Sequence, residues 1–93
     1  MGTTIVHNTA ASRYEIYLDE TLAGYADYYE ADGVRDFSHT MTFPEFRGRG
    51  VAGQVVEFAL NDTRDAGCTI IPTCWYVAEY LGKHPEYAAL TAG

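Results

Sequence analysis

The sequence predicts a mixed α+β (α/β) domain: antiparallel strands, then a β-α-β crossover, then a short C-terminal helix. Three observations predict it. Residues 13–18 alternate apolar and polar side chains, the period of a strand with one covered face. Residues 50–66 repeat apolar side chains at the helical period. Turn residues at Asp19-Glu20, at Glu30-Ala31-Asp32-Gly33 and at Pro44 cut the first half into strand-length runs.

The elements follow in order. Met1 to Ala11 has neither period and is expected to be a loose or weakly extended arm. Arg13 to Leu18 is a half-buried strand, with Tyr14, Ile16 and Leu18 on one side and Arg13, Glu15 and Tyr17 on the other. Leu22 to Tyr29 is a second strand, in which Gly24 and Ala26 leave room for a neighbour. Val34 to Phe43 is a third. Its alternation assigns Phe37, His39, Met41 and Phe43 to one face, and Asp36, Ser38, Thr40 and Thr42 to the other. The helix runs from about Gly50 to Ala66. Val51, Ala52, Val55, Val56, Ala59, Leu60 and Thr63 form its buried stripe, and Gly67 stands where a C′ glycine belongs. Thr69 to Thr73 is a fourth strand, apolar enough to be central. Its link to the third through the helix is a crossover of the kind that joins parallel strands. Trp75 to Gly82 is a short helix that Pro85 prevents from continuing.

Composition narrows the function. Ninety-three residues make one domain, 1–93. Thirteen acids against six bases give a formal charge of −7, which speaks against nucleic-acid binding, since that needs a basic footprint. Cys68 and Cys74 match no zinc spacing and make no disulfide framework, so reduced thiols and a cytoplasmic location are expected. No secretory leader is expected, and no apolar run approaches membrane length.

Against this acidic background, Arg47-Gly48-Arg49-Gly50-Val51-Ala52-Gly53 stands out. It joins the end of a strand to the start of the best helix. Glycines let backbone N–H groups approach an anion closely, and the helix start adds partial positive charge. Two arginines complete an electropositive cradle suited to the pyrophosphate of a cofactor. Residues 48–53 also fit G-x-G-x-x-G, but the dinucleotide reading needs an acid at the end of the next strand and further βαβ units. Neither is present. No Lys followed by Ser or Thr trails the glycines, so a P-loop is excluded.

A different frame fits better. Arg47-x-x-Gly50-x-Ala52, after a strand and opening a helix, resembles the R/Q-x-x-G-x-G/A acetyl-CoA signature of the GNAT acyltransferases. His39-Thr40 before it, Pro72-Thr73-Cys74-Trp75-Tyr76-Val77 after the helix and Lys83-His84-Pro85-Glu86-Tyr87 near the end are similar to the small YjdJ-type branch of that superfamily. The resemblance covers about residues 12–90. It implies a minimal GNAT-like fold and an acetyl-CoA-dependent N-acyltransferase that moves acetyl to an amine.

It also implies roles. Arg47, Gly48, Arg49, Gly50, Val51 and Ala52 would hold the diphosphate of coenzyme A. The backbone of Met41, Thr42 and Phe43 would run beside pantetheine, and Lys83 and His84 would reach the nucleotide end. Cys74, at the start of the second helix with Thr73 as its N-cap, sees a helix dipole that favours thiolate. The resemblance sets it beside the acetyl group, as nucleophile or as the acid that reprotonates the departing thiolate; a buried small hydrophobe is the plain alternative. His39 falls on the expected core side of its strand. An imidazole there suits a general base or a satisfied core residue, and a Cys–His couple with Cys74 is geometrically open. Tyr76, Tyr80 and Tyr87 read as packing, and His7 carries no case. Two rival functions are a coenzyme A-binding module with little catalysis and, kept alive by the glycine pattern, a nicotinamide-binding fragment.

Overall fold

The computed structural model describes residues 2–91. Five strands form one sheet in the order β1-β2-β3-β4-β5. They are β1 (Thr3–Asn8), β2 (Arg13–Leu18), β3 (Thr21–Ala31), β4 (Val34–Thr42) and β5 (Thr69–Ile71). The first four are antiparallel neighbours, and β4 pairs β5 in parallel. Helix α1 (Val51–Asp65) makes the crossover between β4 and β5, and α2 (Trp75–Lys83) follows. The expected α+β class and the crossover are both present.

Helix α1 lies on one face of the sheet, because the 3.6-residue stripe has nowhere else to bury. Val51, Val55, Val56, Ala59, Leu60 and Thr63 are buried against Tyr14, Ile16, Ala23, Tyr28, Phe37 and Ile70. Ala52, expected in that stripe, is half-buried and faces a cavity. Gly50 is the N-cap, with φ +70°, and Gly67 follows the C-cap with φ +76°. Left-handed backbone at both ends explains the glycines there.

The N-terminal segment departs from expectation. Thr3–Asn8 is no loose arm: it pairs along its length with β2, from Thr3↔Leu18 to Asn8↔Arg13. Its side chains hide the strand, because an edge strand with exposed Thr3, Thr4 and Val6 lacks a clean apolar alternation.

The larger departure is in β4. Asp27 opposes His39 and Tyr28 opposes Phe37, so Ser38 is an extra residue without an opposite number. A bulge of this kind reverses the alternation beyond it. Arg35 and Phe37 face the core before the bulge. After it, Thr40 turns to the helix side, where its hydroxyl meets Cys74, and His39 is exposed. The predicted shared face of Phe37, His39, Met41 and Phe43 is therefore split.

At the other end of the sheet a buried polar network ties strands to α1. Arg35, 7% exposed, donates through Nε to Glu30 at 2.7 Å and through Nη1 to the Tyr14 hydroxyl at 2.6 Å. Tyr14 donates in turn to Asp62 on α1 at 2.6 Å. His7 stacks on Tyr14 with centroids 4.1 Å apart, lies 3.2 Å from Asp62 and shares a 2.6 Å hydrogen bond with the Tyr28 hydroxyl. His7, set aside on sequence, thus fastens the edge strand.

Two outcomes are expected. Tyr14→Phe leaves a buried guanidinium N–H without its acceptor and should lower stability by about 1–3 kcal/mol in denaturant unfolding. Burial holds the His7 imidazole below its ordinary value, against the pull of Asp62 and with help from Arg35. The folded chain therefore binds that proton less readily than the unfolded one. Its contribution is complete above about pH 6.5 and is lost as pH falls through the lowered folded value. His7→Phe should flatten the fall of melting temperature on acidification across that window.

Candidate functional site

The site begins where β4 and β5 part. They pair over Val34↔Thr69, Arg35↔Ile70 and Asp36↔Ile71. Pro72 follows and has no N–H to continue the ladder. The chain turns away, and the Cys74 amide donates to the Phe37 carbonyl at 2.8 Å. Past that point the outer backbone edge of β4 has no strand beside it among the described residues. A wedge opens between β4, the N-terminus of α1 and the start of α2.

Two adjoining cavities of about 230 Å³ each fill the wedge. Thr42, Arg47, Ala52 and Tyr76 line both. The first continues over Phe46, Gly48, Gly50, Val51 and Gly53, the second over Thr40, Met41 and Trp75. The path therefore runs from the glycine loop along β4 toward Cys74, which contacts Thr40.

The loop offers unfilled donors. Gly48 and Gly50 take φ of +82° and +70°. No side chain caps α1, and the helical ladder starts at the Gln54 amide, which donates to Gly50 O at 3.1 Å. Charge is also available. Arg13, Arg35, Arg64 and Lys83 each pair with a carboxylate. Arg47 and Arg49, both exposed, do not among the described residues; Arg49 lies 5.8 Å over the Phe46 ring.

Cys74 sits at the inner end, 8% exposed. It is itself the N-cap of α2, where Thr73 was expected, and its sulfur closes no capping hydrogen bond of ordinary length. Burial raises the thiol pKa. The Thr40 hydroxyl, 3.4 Å from Sγ, and the amides of Val77, Tyr76 and Thr40, which face the sulfur at longer range, outweigh it, so the net pKa lies below the usual thiol value.

The other sequence candidates separate. Met41 and Thr42 line the wedge, but the Phe43 ring packs on Tyr25 at 6.2 Å. His39 also packs on Tyr25 at 6.2 Å, on the face away from the Thr40–Cys74 contact. No Cys–His couple forms, and the core-side placement of His39 is corrected; the Ser38 bulge is the cause. Lys83 lies 3.7 Å from Glu79, and His84 stacks on Tyr80 at 4.0 Å. Neither lines the two cavities.

Sequence reasoning missed Thr40 and Tyr76, and read Gly24 only as leaving room for a neighbour. The bulge hid Thr40. Tyr76 gave no signal beyond an aromatic in a helix. Gly24 did: an isolated glycine in a strand marks close backbone approach. A Cβ there would lie 2.5 Å from the Met41 carbonyl and 3.1 Å from Val51 Cγ1.

Residues 13–90 match the model of the GCN5-related N-acetyl-transferase family. The chain belongs to this family. Protein NATD1 of Gallus gallus is 34% identical over 59 residues, which are 61% of this chain and 54% of that protein. NATD1 of Homo sapiens is 34% identical over 59 residues, 61% of this chain and 52% of that one. The chain thus spans about half the length of the curated relatives it matches. A GCN5-like protein from Staphylococcus aureus, solved in solution, superposes with a TM-score of 0.73 at 20% identity over 97% of this chain and 88% of that one. Aminoglycoside N-acetyltransferase AAC(6′)-Iy in complex with CoA gives a TM-score of 0.53 at 21% identity over 81% of this chain and 57% of that one. At these identities the two structures share the fold. Among the described residues no helix is long and apolar enough to cross a membrane, and no group of three or more His, Cys, Asp or Glu gathers as a metal site.

Gly24→Ala must push the β4 backbone at Met41. It should destabilise the fold by about 1–3 kcal/mol, read as a lower melting temperature in thermal unfolding.

Proposed function

We propose that residues 1–93 form a single acyl-CoA-binding domain of the small YjdJ-type kind, an N-acyltransferase that takes acetyl from acetyl-CoA and gives it to an amine. One observation carries the reading. An uncapped helix start and two arginines unpaired among the described residues stand beside two cavities that share four lining residues, and the inner cavity reaches Thr40, whose hydroxyl meets the buried Cys74.

The diphosphate of the donor substrate fits the loop Arg47 to Ala52, where N–H groups and guanidinium charge converge. Pantetheine fits the open edge of β4 at Met41 and Thr42, whose outward backbone groups lack a strand partner. Phe43 supports that edge from the other face. Lys83 and His84 remain candidates for the nucleotide end, and nothing in their contacts favours that role.

One route uses Cys74 as a relay, and the direction of its pKa shift suits that role. Its thiolate attacks the acetyl carbonyl carbon, forms a new thioester and releases coenzyme A as thiolate. The amine then attacks that thioester, the Cys74 thiolate leaves, and the amine proton goes to water or to His39, which lies on the open face of the sheet. The alternative is direct transfer, with Cys74 protonating the departing thiolate. Asp27, the cross-strand partner of His39, and Ser38 line a further cavity of about 350 Å³ on that same face. Its acidic side chain suits a cationic acceptor. The setting of this chemistry is proposed as cytoplasmic.

A second reading is a coenzyme A-binding module with little catalysis. The open face of the sheet motivates it, because no helix among the described residues covers the acceptor side. Transfer of labelled acetyl across an amine panel separates the two.

Arg47→Ala should weaken coenzyme A binding about tenfold by calorimetry, the loss of one charge-assisted contact. NAD in the same cell should not compete. Intact-mass analysis after incubation with acetyl-CoA should show one acetyl adduct, absent in Cys74→Ala. A Cys74→Ala protein with full turnover would remove both roles of the thiol.

A further inference from the structure

We propose that Thr40 is the positioning residue that activates Cys74, its hydroxyl donating to the sulfur across the 3.4 Å contact. The proposal rests on the reading of Cys74 as the reactive group and names what activates it.

Geometry carries the assignment. The extra residue Ser38 turns Thr40 toward α2, where it meets a sulfur held from the other side by the Cys74 amide's bond to the Phe37 carbonyl. The sulfur is the one hydrogen-bond partner of the Thr40 hydroxyl among the described residues. That hydroxyl is therefore free to rotate. It accepts from the thiol before the proton leaves and donates to the thiolate afterwards. The bond strengthens on deprotonation, since hydrogen bonds to an ionised acceptor are the stronger kind.

No charged partner replaces it. The ionisable groups around the contact are Tyr76 on α2 and Arg47 on the loop, which line the same cavity as Thr40, and His39, which leaves β4 on the opposite face. None forms an ion pair with Cys74. Activation here works by neutral dipoles and not by an imidazolium. The lowered thiol pKa has the direction this arrangement requires.

The test is the pH dependence of iodoacetamide alkylation at Cys74, followed by peptide mass spectrometry so that Cys68 is counted separately. Thr40→Val keeps the side-chain shape and removes the donor. Its alkylation midpoint should move up by about one pH unit, and Thr40→Ser should restore it. His39→Ala should leave the midpoint in place. An unchanged midpoint in Thr40→Val, or a shift in His39→Ala as large as that in Thr40→Val, would overturn the proposal. If Thr40→Val does not fold by circular dichroism, Thr40→Ala against Thr40→Ser carries the same comparison. The assay uses no acetyl-CoA, so failure of the donor-substrate reading would appear in the adduct experiment and leave this one intact.

Discussion

The parting of β4 from β5 is the constraint on which the rest of the structure depends. A parallel ladder ends after three residue pairs because the next residue, Pro72, has no N–H to give. Had the strands continued together, the backbone edge at Thr40 to Thr42 would be spent on β5, and α2 would begin farther along the chain. Instead the last backbone hydrogen bond between the two segments is the Cys74 amide on the Phe37 carbonyl. One hydrogen bond thus fixes both the apex of the wedge and the position of the thiol within it.

What holds the sheet rigid lies at its other end. Arg35, Tyr14 and Asp62 link β4, β2 and α1 through side chains that are buried or half-buried. Such a network is costly unless each member finds a partner, and here each does. The consequence is mechanical. Helix α1 is pinned near its C-terminus by polar bonds and along its length by the apolar stripe, while its N-terminus projects free amides toward the wedge. One helix therefore supplies both much of the core and the free amides of the proposed anion cradle.

The sequence disclosed the parts governed by local periodicity and missed those set by register. Helix α1 was legible to within one residue at each end, because a 3.6-residue stripe, a left-handed glycine before it and another after it agree. The loop was legible for the same reason: glycines and arginines there contradict an acidic surface. His39 and Thr40 were assigned to the wrong faces. Strand alternation is reliable only while each residue has an opposite number, and Ser38 has none. Nothing in the run Phe37-Ser38-His39 signals an extra residue, since the bulge is decided by how β3 and β4 meet. The network around Arg35 was invisible for a related reason. Its members stand up to 55 positions apart, as the His7–Asp62 pair does, and only the packed sheet brings them together.

The charge pattern connects these levels. Four of the six cationic side chains are neutralised by nearby carboxylates. In a chain of formal charge −7 the two that are not, Arg47 and Arg49, create a local positive field beside helix amides of the same sign. An anion is drawn to this one place and repelled from most of the remaining surface, which favours a correct encounter over a merely strong one. The inner end of the wedge is less charged: Thr40, Met41, the exposed Trp75 and the half-buried Tyr76 line it beside Arg47, and the thiol's immediate partners carry no formal charge. On the proposed reading, a ligand with a doubly anionic head and a neutral, thiol-bearing tail would suit that gradient in both halves. A dinucleotide, with polar groups at each end, matches it in one.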